Sequence, residues 1–439
     1  MPRKLVLIVV DGMTPAAFER AIEGGRAPAL SFLAEHGDYR LATSVFPSLT
    51  PVCLTSIATG TGPGAHHIPS MVWWNRQERR IVEYGSSFAA LRAAGLSQSV
   101  LDTIFNMNER HLSRDAVTIY EALEGADLVS GAVNITCYRG SHRYLPTLPG
   151  LHRAVHGPRR FFFYGLFESD RTGAPFAVRS RRGGSVDAYA AAVGRWLVTR
   201  DGFDFLAYYL SGYDFASHVG GPDGDEADRS LEQIDTEVAA LFEAAGGPDE
   251  FLERYAVVLL SDHGQTSVEQ VARLEERFEE VAGEVVVTAS NRAAQVYLLP
   301  GARIDAADLA RRLDGFPAVD VTLRCDGDEV VARRDGADAP VEKLDYADAA
   351  WRARSALANP NAGELLVSAA EGWELADLGG RHHVGGGSHG SLIAGDSLVP
   401  LVTVGLQAEP RRITEVAPAI LEHFGVAAPA SMEALAGVG

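Results

Sequence analysis

Five short runs of apolar, β-branched residues constrain the fold most. They are Lys4–Val10, Leu128–Ile135, Phe203–Leu210, Tyr255–Leu260 and Leu398–Val404. None alternates apolar with polar, so each suits a strand covered on both faces. Helical patterns lie between them, at Pro15–Glu23, Asp223–Ala245 and Thr414–Phe424. Strand and helix in alternation predict an α/β fold with a mainly parallel central sheet flanked by helices. The 439 residues, 46% apolar and 22% charged, suffice for one large domain with insertions.

Residues 285–360 read differently. Ala293–Leu299 has a strand pattern and Asp305–Leu313 a helical one. Val319–Cys325 and Glu329–Arg334 flank Asp326-Gly327-Asp328 as a hairpin would. This predicts a small α+β insert, with residues 1–284 and 361–439 forming the catalytic core. Gly140–Gly184, rich in Arg, Gly and aromatics, is expected to be a loop-rich excursion over a site.

The net charge of −19 disfavours a nucleic-acid polymer as partner, but a small anion remains compatible because bound cations invert the local field. Cys53, Cys137 and Cys325 are far apart and form no disulfide or metal-binding pattern. The apolar run before Asp11 is too short for a signal segment, and no run of about 18 apolar residues occurs. A cytoplasmic protein without membrane partners is expected.

Three strand candidates are followed by acids: Asp11, Asp214 and the pair Asp262-His263. In open α/β sheets ligands bind beyond the carboxyl ends of strands, so these acids should meet in one crevice. Asp11 alone suits a helix cap or a loop equally well. Asp214 and His218, spaced as DxxxH, share one helix face if that stretch is helical, although the spacing is common by chance. Adjacent Asp262 and His263 make poor core residues unless a metal relieves their burial. Thr50 precedes Pro51, which suits the first turn of a helix running to Thr59 and stopping at Gly60. Thr50 is then either the N-cap or a hydroxyl placed in the positive field of a helix start, where phosphate binds. His389 sits in the loop Gly385–Ser391, whose glycines allow close approach of backbone to a site. His66, His67, His382 and His383 show no ligand pattern.

In order, VVDGM, FPSLTP, SGYDFASH, LSDHG and GGSHGS resemble the nucleotide pyrophosphatase/phosphodiesterase family of the alkaline phosphatase superfamily. The resemblance implies an alkaline-phosphatase-like fold and a two-metal phosphoric ester hydrolase. Asp11, Thr50, Asp262 and His263 would hold one divalent ion, and Asp214, His218 and His389 the other. Zinc is the usual metal, while manganese or iron also suit these donors. Two ions about 4 Å apart act on both sides of an in-line displacement, with Thr50 forming a phospho-threonine intermediate. The substrate would be a small phosphorylated molecule such as a nucleotide or phosphodiester.

One departure stands out. Where the family carries an asparagine that bonds a phosphate oxygen, this chain has Met71, which donates nothing. Asn75 is a candidate substitute. Trp73 and Trp74 either stack on a substrate ring or pack the interior. No arginine lies between Phe46 and Asn75, which favours a diester over a monoester dianion; Arg76, Arg79, Arg80 and the arginines of Gly140–Gly184 are the remaining cations nearby. Other members of the superfamily (phosphomonoesterases, phosphonate hydrolases, phosphomutases) and a non-catalytic metal-binding relative are the alternatives.

Overall fold

The computed structural model describes residues 2–148, 150, 152–172 and 184–435. The main sheet has eight strands, in the order Asp38–Thr43, Leu398–Val404, Tyr255–Leu260, Lys4–Val10, Phe205–Leu210, Ser130–Val133, Arg160–Phe163 and Phe167–Glu168. The five from Tyr255–Leu260 to Arg160–Phe163 run parallel. Leu398–Val404 instead pairs antiparallel with Tyr255–Leu260, and Asp38–Thr43 and Phe167–Glu168 close the edges antiparallel.

The absence of alternation in Lys4–Val10 has a direct cause. Leu5, Leu7 and Val9 enter one apolar cluster, while Val6, Ile8 and Val10 enter the other, on the opposite face of the sheet. The second cluster is covered by helices Pro15–Glu23, Pro28–Glu35, Gly184–Arg200 and Asp225–Ala245. The first is covered by Thr50–Thr59, Ile119–Gly125 and Val416–His423. Each strand thus removes side chains from water on both faces, at about 25 cal/mol per Å² of apolar area.

The excursion expected over Gly140–Gly184 is only partly loop. Arg160–Phe163 enters the main sheet beside Ser130–Val133, because Phe161 and Phe162 supply one buried ring to each face. Residues 149, 151 and 173–183 of that stretch lie outside the described residues.

A second sheet of six strands follows, all antiparallel: Val285–Ser290, Ala293–Leu298, Leu365–Ala369, Val319–Asp326, Glu329–Arg334 and Ala337–Pro340. Leu365–Ala369 occupies an inner position, so a division of the chain at residue 360 would split this sheet. Helix Ala306–Arg312, started by a capping box of Asp305 and Asp308, packs on one face through Leu309 and Ala310. Helix Ala349–Leu357 packs on the other through Ala353 and Ala356, where Phe46 and Leu392 also bury. Those two residues flank the segments carrying Thr50 and His389, so the second sheet is fastened directly to both. Cys53 and Cys137 are buried, Cys325 is exposed, and all are free thiols. No helix among the described residues is long and apolar enough to cross a membrane.

Candidate metal centre and cavity

Strand ends bring the first group of acids together. Lys4–Val10 delivers Asp11, and Tyr255–Leu260, beside it, delivers Asp262 and His263. Offered ligand atoms of these three lie within 4.8 Å of one another, all buried. Asp214 and His218 lie one turn apart in helix Gly212–Gly220, with His218 Nε2 3.3 Å from Asp214 Oδ2. His389 completes a second group of the same compactness, with Asp214 and His218 partly open to solvent. The groups adjoin: His389 Nε2 is 3.7 Å from Asp214 Oδ1, and the rings of His263 and His389 stack with centroids 3.6 Å apart.

Each histidine is fixed in the tautomer a cation needs. His263 Nδ1 lies 3.0 Å from the Gly264 carbonyl, His218 Nδ1 2.7 Å from that of Gly387, and His389 Nδ1 2.8 Å from that of Ser48. With Nδ1 donating to a carbonyl, Nε2 is the ring nitrogen left facing the centre, able to bind a cation once its own proton is lost. The acids show the same one-sided use. Asp262 Oδ1 accepts from the amides of Gly12 and His263, and Asp11 Oδ2 accepts from the Tyr209 hydroxyl. Asp262 Oδ2 and Asp11 Oδ1 are buried without any hydrogen-bond partner. Orphaned buried carboxylate oxygens are costly, and a bound cation is the partner that removes the cost.

Charge reinforces this. Burial first, and then Asp262 and Asp214, push the Asp11 carboxyl well above its ordinary range. Burial pushes Asp262 up to about 7. Burial also opposes ionisation of Asp214, but the charges of His218, His389 and His263 outweigh it and hold its carboxyl low. Burial works against His218, yet Asp214 beside it lifts the imidazole to about 9. Burial, then the charge of His263, drives His389 down. Three converging carboxylates are a strained set that divalent cations relieve. The site residues therefore fit the metals the sequence leads one to expect.

Close backbone approach depends on glycine at two places. A Cβ at Gly12, whose φ is +69°, would meet Asp214 Oδ1 at 2.9 Å, and one at Gly386 would meet the His218 carbonyl at 2.0 Å.

Thr50 does not cap its helix. The N-cap of Thr50–Thr59 is Leu49, with extended backbone and no side-chain cap bond, so Thr50 is the first helical residue. Pro51 has no N–H to cap, and the free hydroxyl points instead to His263 Nε2, 3.1 Å away.

A cavity of about 460 Å³ opens beside Thr50, Asp214, His218 and His389. Met71 is in its wall. Trp73 and Asn75 are not among the residues that line it. Trp73 is buried edge-on to His111. Asn75 Oδ1 accepts from the amides of Gln77 and Glu78, folding the hairpin turn between Val72–Asn75 and Arg80–Glu83. The expected cations are engaged elsewhere too: Arg76 pairs with Glu364 and Arg80 with Asp102. The arginine that does line the cavity is Arg381.

Sequence reasoning missed other members. Gln265, directly after His263-Gly264, donates to Asp214 and accepts from Ser217. Asp187 accepts from the amides of Ser211 and Gly212, holding the start of the helix that carries Asp214. His383 lines the cavity, stacks on His218 at 4.1 Å and reaches Glu374 through Nδ1, 2.7 Å away. Asn291 also lines it. Nearness to a ligand motif was a usable signal for Gln265; the others depend on chain crossings that no local pattern marks. His66, which shows no ligand pattern in the sequence, is buried against Ser56 and the Ile68 amide.

Parallel strands ending in clustered acids, with a hydroxyl at a helix start beside them, belong to an alkaline-phosphatase-like α/β fold. The sequence matches the type I phosphodiesterase/nucleotide pyrophosphatase family over residues 5–392, and the chain belongs to that family. Solved structures share the fold. Phosphonoacetate hydrolase from Sinorhizobium meliloti, in complex with phosphonoformate, superposes with a TM-score of 0.67 at 20% identity, covering 96% of each chain. Murine ectonucleotide pyrophosphatase/phosphodiesterase 5 gives a TM-score of 0.66 at 14% identity, covering 97% of this chain and 96% of its own. No curated protein matches the sequence significantly. The chain is thus a hydrolase of the phosphoesterase superfamily.

Proposed function

We propose that the protein hydrolyses a phosphodiester or pyrophosphate bond with Thr50 as nucleophile. One divalent ion would be held by Asp11, Thr50, Asp262 and His263, and a second by Asp214, His218 and His389, zinc being the metal best suited and manganese or iron also compatible. When bound, such ions would acidify a hydroxyl and offset charge on the entering and leaving oxygens. The observation that carries the reading is the Thr50 hydroxyl at a helix start, bonded to His263 Nε2 at 3.1 Å and lining one cavity with Asp214, His218 and His389. Thr50 Oγ attacks phosphorus, the bond to the leaving oxygen breaks, and water then cleaves the resulting phospho-threonine. The helix start adds a positive field where the phosphoryl oxygens gather.

The cavity supports a substrate with an ester arm. Tyr84, Phe88, Met107 and Phe215 offer apolar surface beside the ligand groups, and Arg381 is the one Lys or Arg among the described lining residues. A monoester dianion asks for more positive charge than that. Arg381 favours one second reading, a phosphonate carrying a carboxylate that its guanidinium would pair. Steady-state kinetics with matched aryl phosphate mono- and diesters and with phosphonoacetate test both. A diester preference is expected. A monoester preference of about tenfold, about 1.4 kcal/mol, would overturn it, and selective turnover of phosphonoacetate would establish the second reading.

A further inference from the structure

Asn291 is buried, 8% exposed, and occupies the two-residue tip, Asn291-Arg292, of the hairpin between Val285–Ser290 and Ala293–Leu298. Its φ of 56° is left-handed, a conformation asparagine tolerates and a two-residue hairpin demands. The tip cannot swing away. The Arg292 amide donates to the His389 carbonyl at 2.9 Å, and the Leu375 amide to the Asn291 carbonyl at 2.8 Å. Arg292, fully buried, donates to the Ala370 carbonyl and approaches Asp396. Within this anchored tip, Ser290 Oγ donates to Asn291 Oδ1 at 3.3 Å, which turns the amide nitrogen inward. That nitrogen lies 2.9 Å from His389 Nε2.

One lone pair cannot serve both an amide proton and a cation. His389 Nδ1 is committed to the Ser48 carbonyl, so Nε2 is the only nitrogen His389 can offer a metal. Once it does, Asn291 Nδ2 loses its acceptor at the wall of the cavity shared with Thr50 and Met71. A buried donor left without an acceptor is costly, so the arrangement favours a ligand that brings one. Met71, in the same wall, has no donor to give.

We propose that Asn291 donates its side-chain amide to a non-bridging oxygen of the phosphoryl group, which makes it a catalytic residue supplied by the second sheet. This rests on the phosphoester reading above. The contact would bind the transferring group itself, so it should affect every phosphorylated ligand regardless of its ester arm.

The test uses Asn291→Gly, which keeps the left-handed backbone without strain, and Asn291→Asp, which keeps size and backbone but removes the donor. Binding of inorganic phosphate to the metal-loaded protein is measured by calorimetry, alongside metal content, melting temperature and kcat/KM for a diaryl phosphate. Both variants should keep metal and fold, bind phosphate at least about tenfold more weakly, and lose about tenfold or more in kcat/KM. Phosphate affinity within about twofold of wild type would overturn the proposal. So would loss of metal in Asn291→Gly, which would make the residue a support for His389 alone. If Asn291→Gly does not fold, Asn291→Asp decides by the same measurements. A wild-type protein that binds phosphate but turns over no phosphoester would refute the proposed function while the calorimetry still decides the role of Asn291. A wild-type protein that binds no phosphate would overturn both.

Discussion

The two ligand groups contrast in how they are held. Asp11, Asp262 and His263 stand at the ends of adjacent parallel strands and are sealed from solvent. Asp214 and His218 ride on a helix, His389 on a glycine-rich loop, and Asp214 and His218 face the cavity. One group is part of the core, and the other is its interface with whatever enters. Under the proposed function the first would activate Thr50 and the second would meet substrate and leaving group, and measurement can break that contrast.

The largest effect is expected at Thr50. Thr50→Ala should lose turnover on the order of a thousandfold or more while keeping its metal, and Thr50→Ser should recover part. Retention of more than about a tenth of the wild-type rate, about 1.4 kcal/mol, excludes Thr50 as the attacking group.

Metal removal should separate the groups in time. Under a strong chelator the open group exchanges with solvent first, so turnover should vanish before the melting temperature moves. Emptying the sealed group should then lower the melting temperature by roughly 5 °C or more, because Asp11 and Asp262 lose their partner. Simultaneous loss of activity and stability would show that the groups are not held differently. Activity untouched by chelation would sink the metal reading altogether.

A smaller, pH-dependent effect tests the helix beneath the open group. Burial raises Asp187 from its ordinary 3.8 to about 6. The folded state then holds that proton more tightly than the unfolded chain, so this contribution is fully present below about pH 4 and lost as pH rises through 6. Its size is roughly 2–3 kcal/mol. An amide in place of this carboxyl cannot titrate, so in metal-loaded Asp187→Asn the stability deficit relative to wild type should shrink by about that amount between pH 4 and 7. Denaturant melts at several pH values measure it, and a constant deficit would refute the assignment. Smallest is Asp305→Ala, far from both groups, which should cost about 1 kcal/mol of stability through its lost cap and leave kcat/KM unchanged.

The sealed group was legible because both causes are local. A strand buried on both faces must be apolar throughout, and an acid directly after it must sit at the strand end, as Asp11 and Asp262 do. The DxxxH of Asp214 and His218 was legible once the segment was helical. Thr50 was placed one residue off, as cap instead of first helical residue, because Pro51 marks a helix start to within a position but not which residue supplies the cap. Asn75 stands near Met71 in sequence, yet a tight hairpin commits it to its own turn, and Trp73 takes the interior packing that its large apolar ring allows. Arg160–Phe163 was hidden by the arginines and glycines around it. Asn291 and Arg381 reach the cavity through the second sheet and the loop beyond it, and nothing near them in sequence refers to Thr50.

The fastening of the second sheet to the segments of Thr50 and His389 has a consequence for synthesis. The centre draws on residues from Asp11 to His389, so its first and last ligands emerge from a ribosome at nearly opposite ends of translation. The parallel strands carrying Asp11 and Asp262 can pair as soon as both have emerged, since domains form progressively during synthesis. The nascent chain would then already display a sealed acidic pair while lacking His389 and the hairpin that backs it. Catalysis would switch on late and all at once, and a product truncated before His389 would be folded in part yet silent toward phosphoesters.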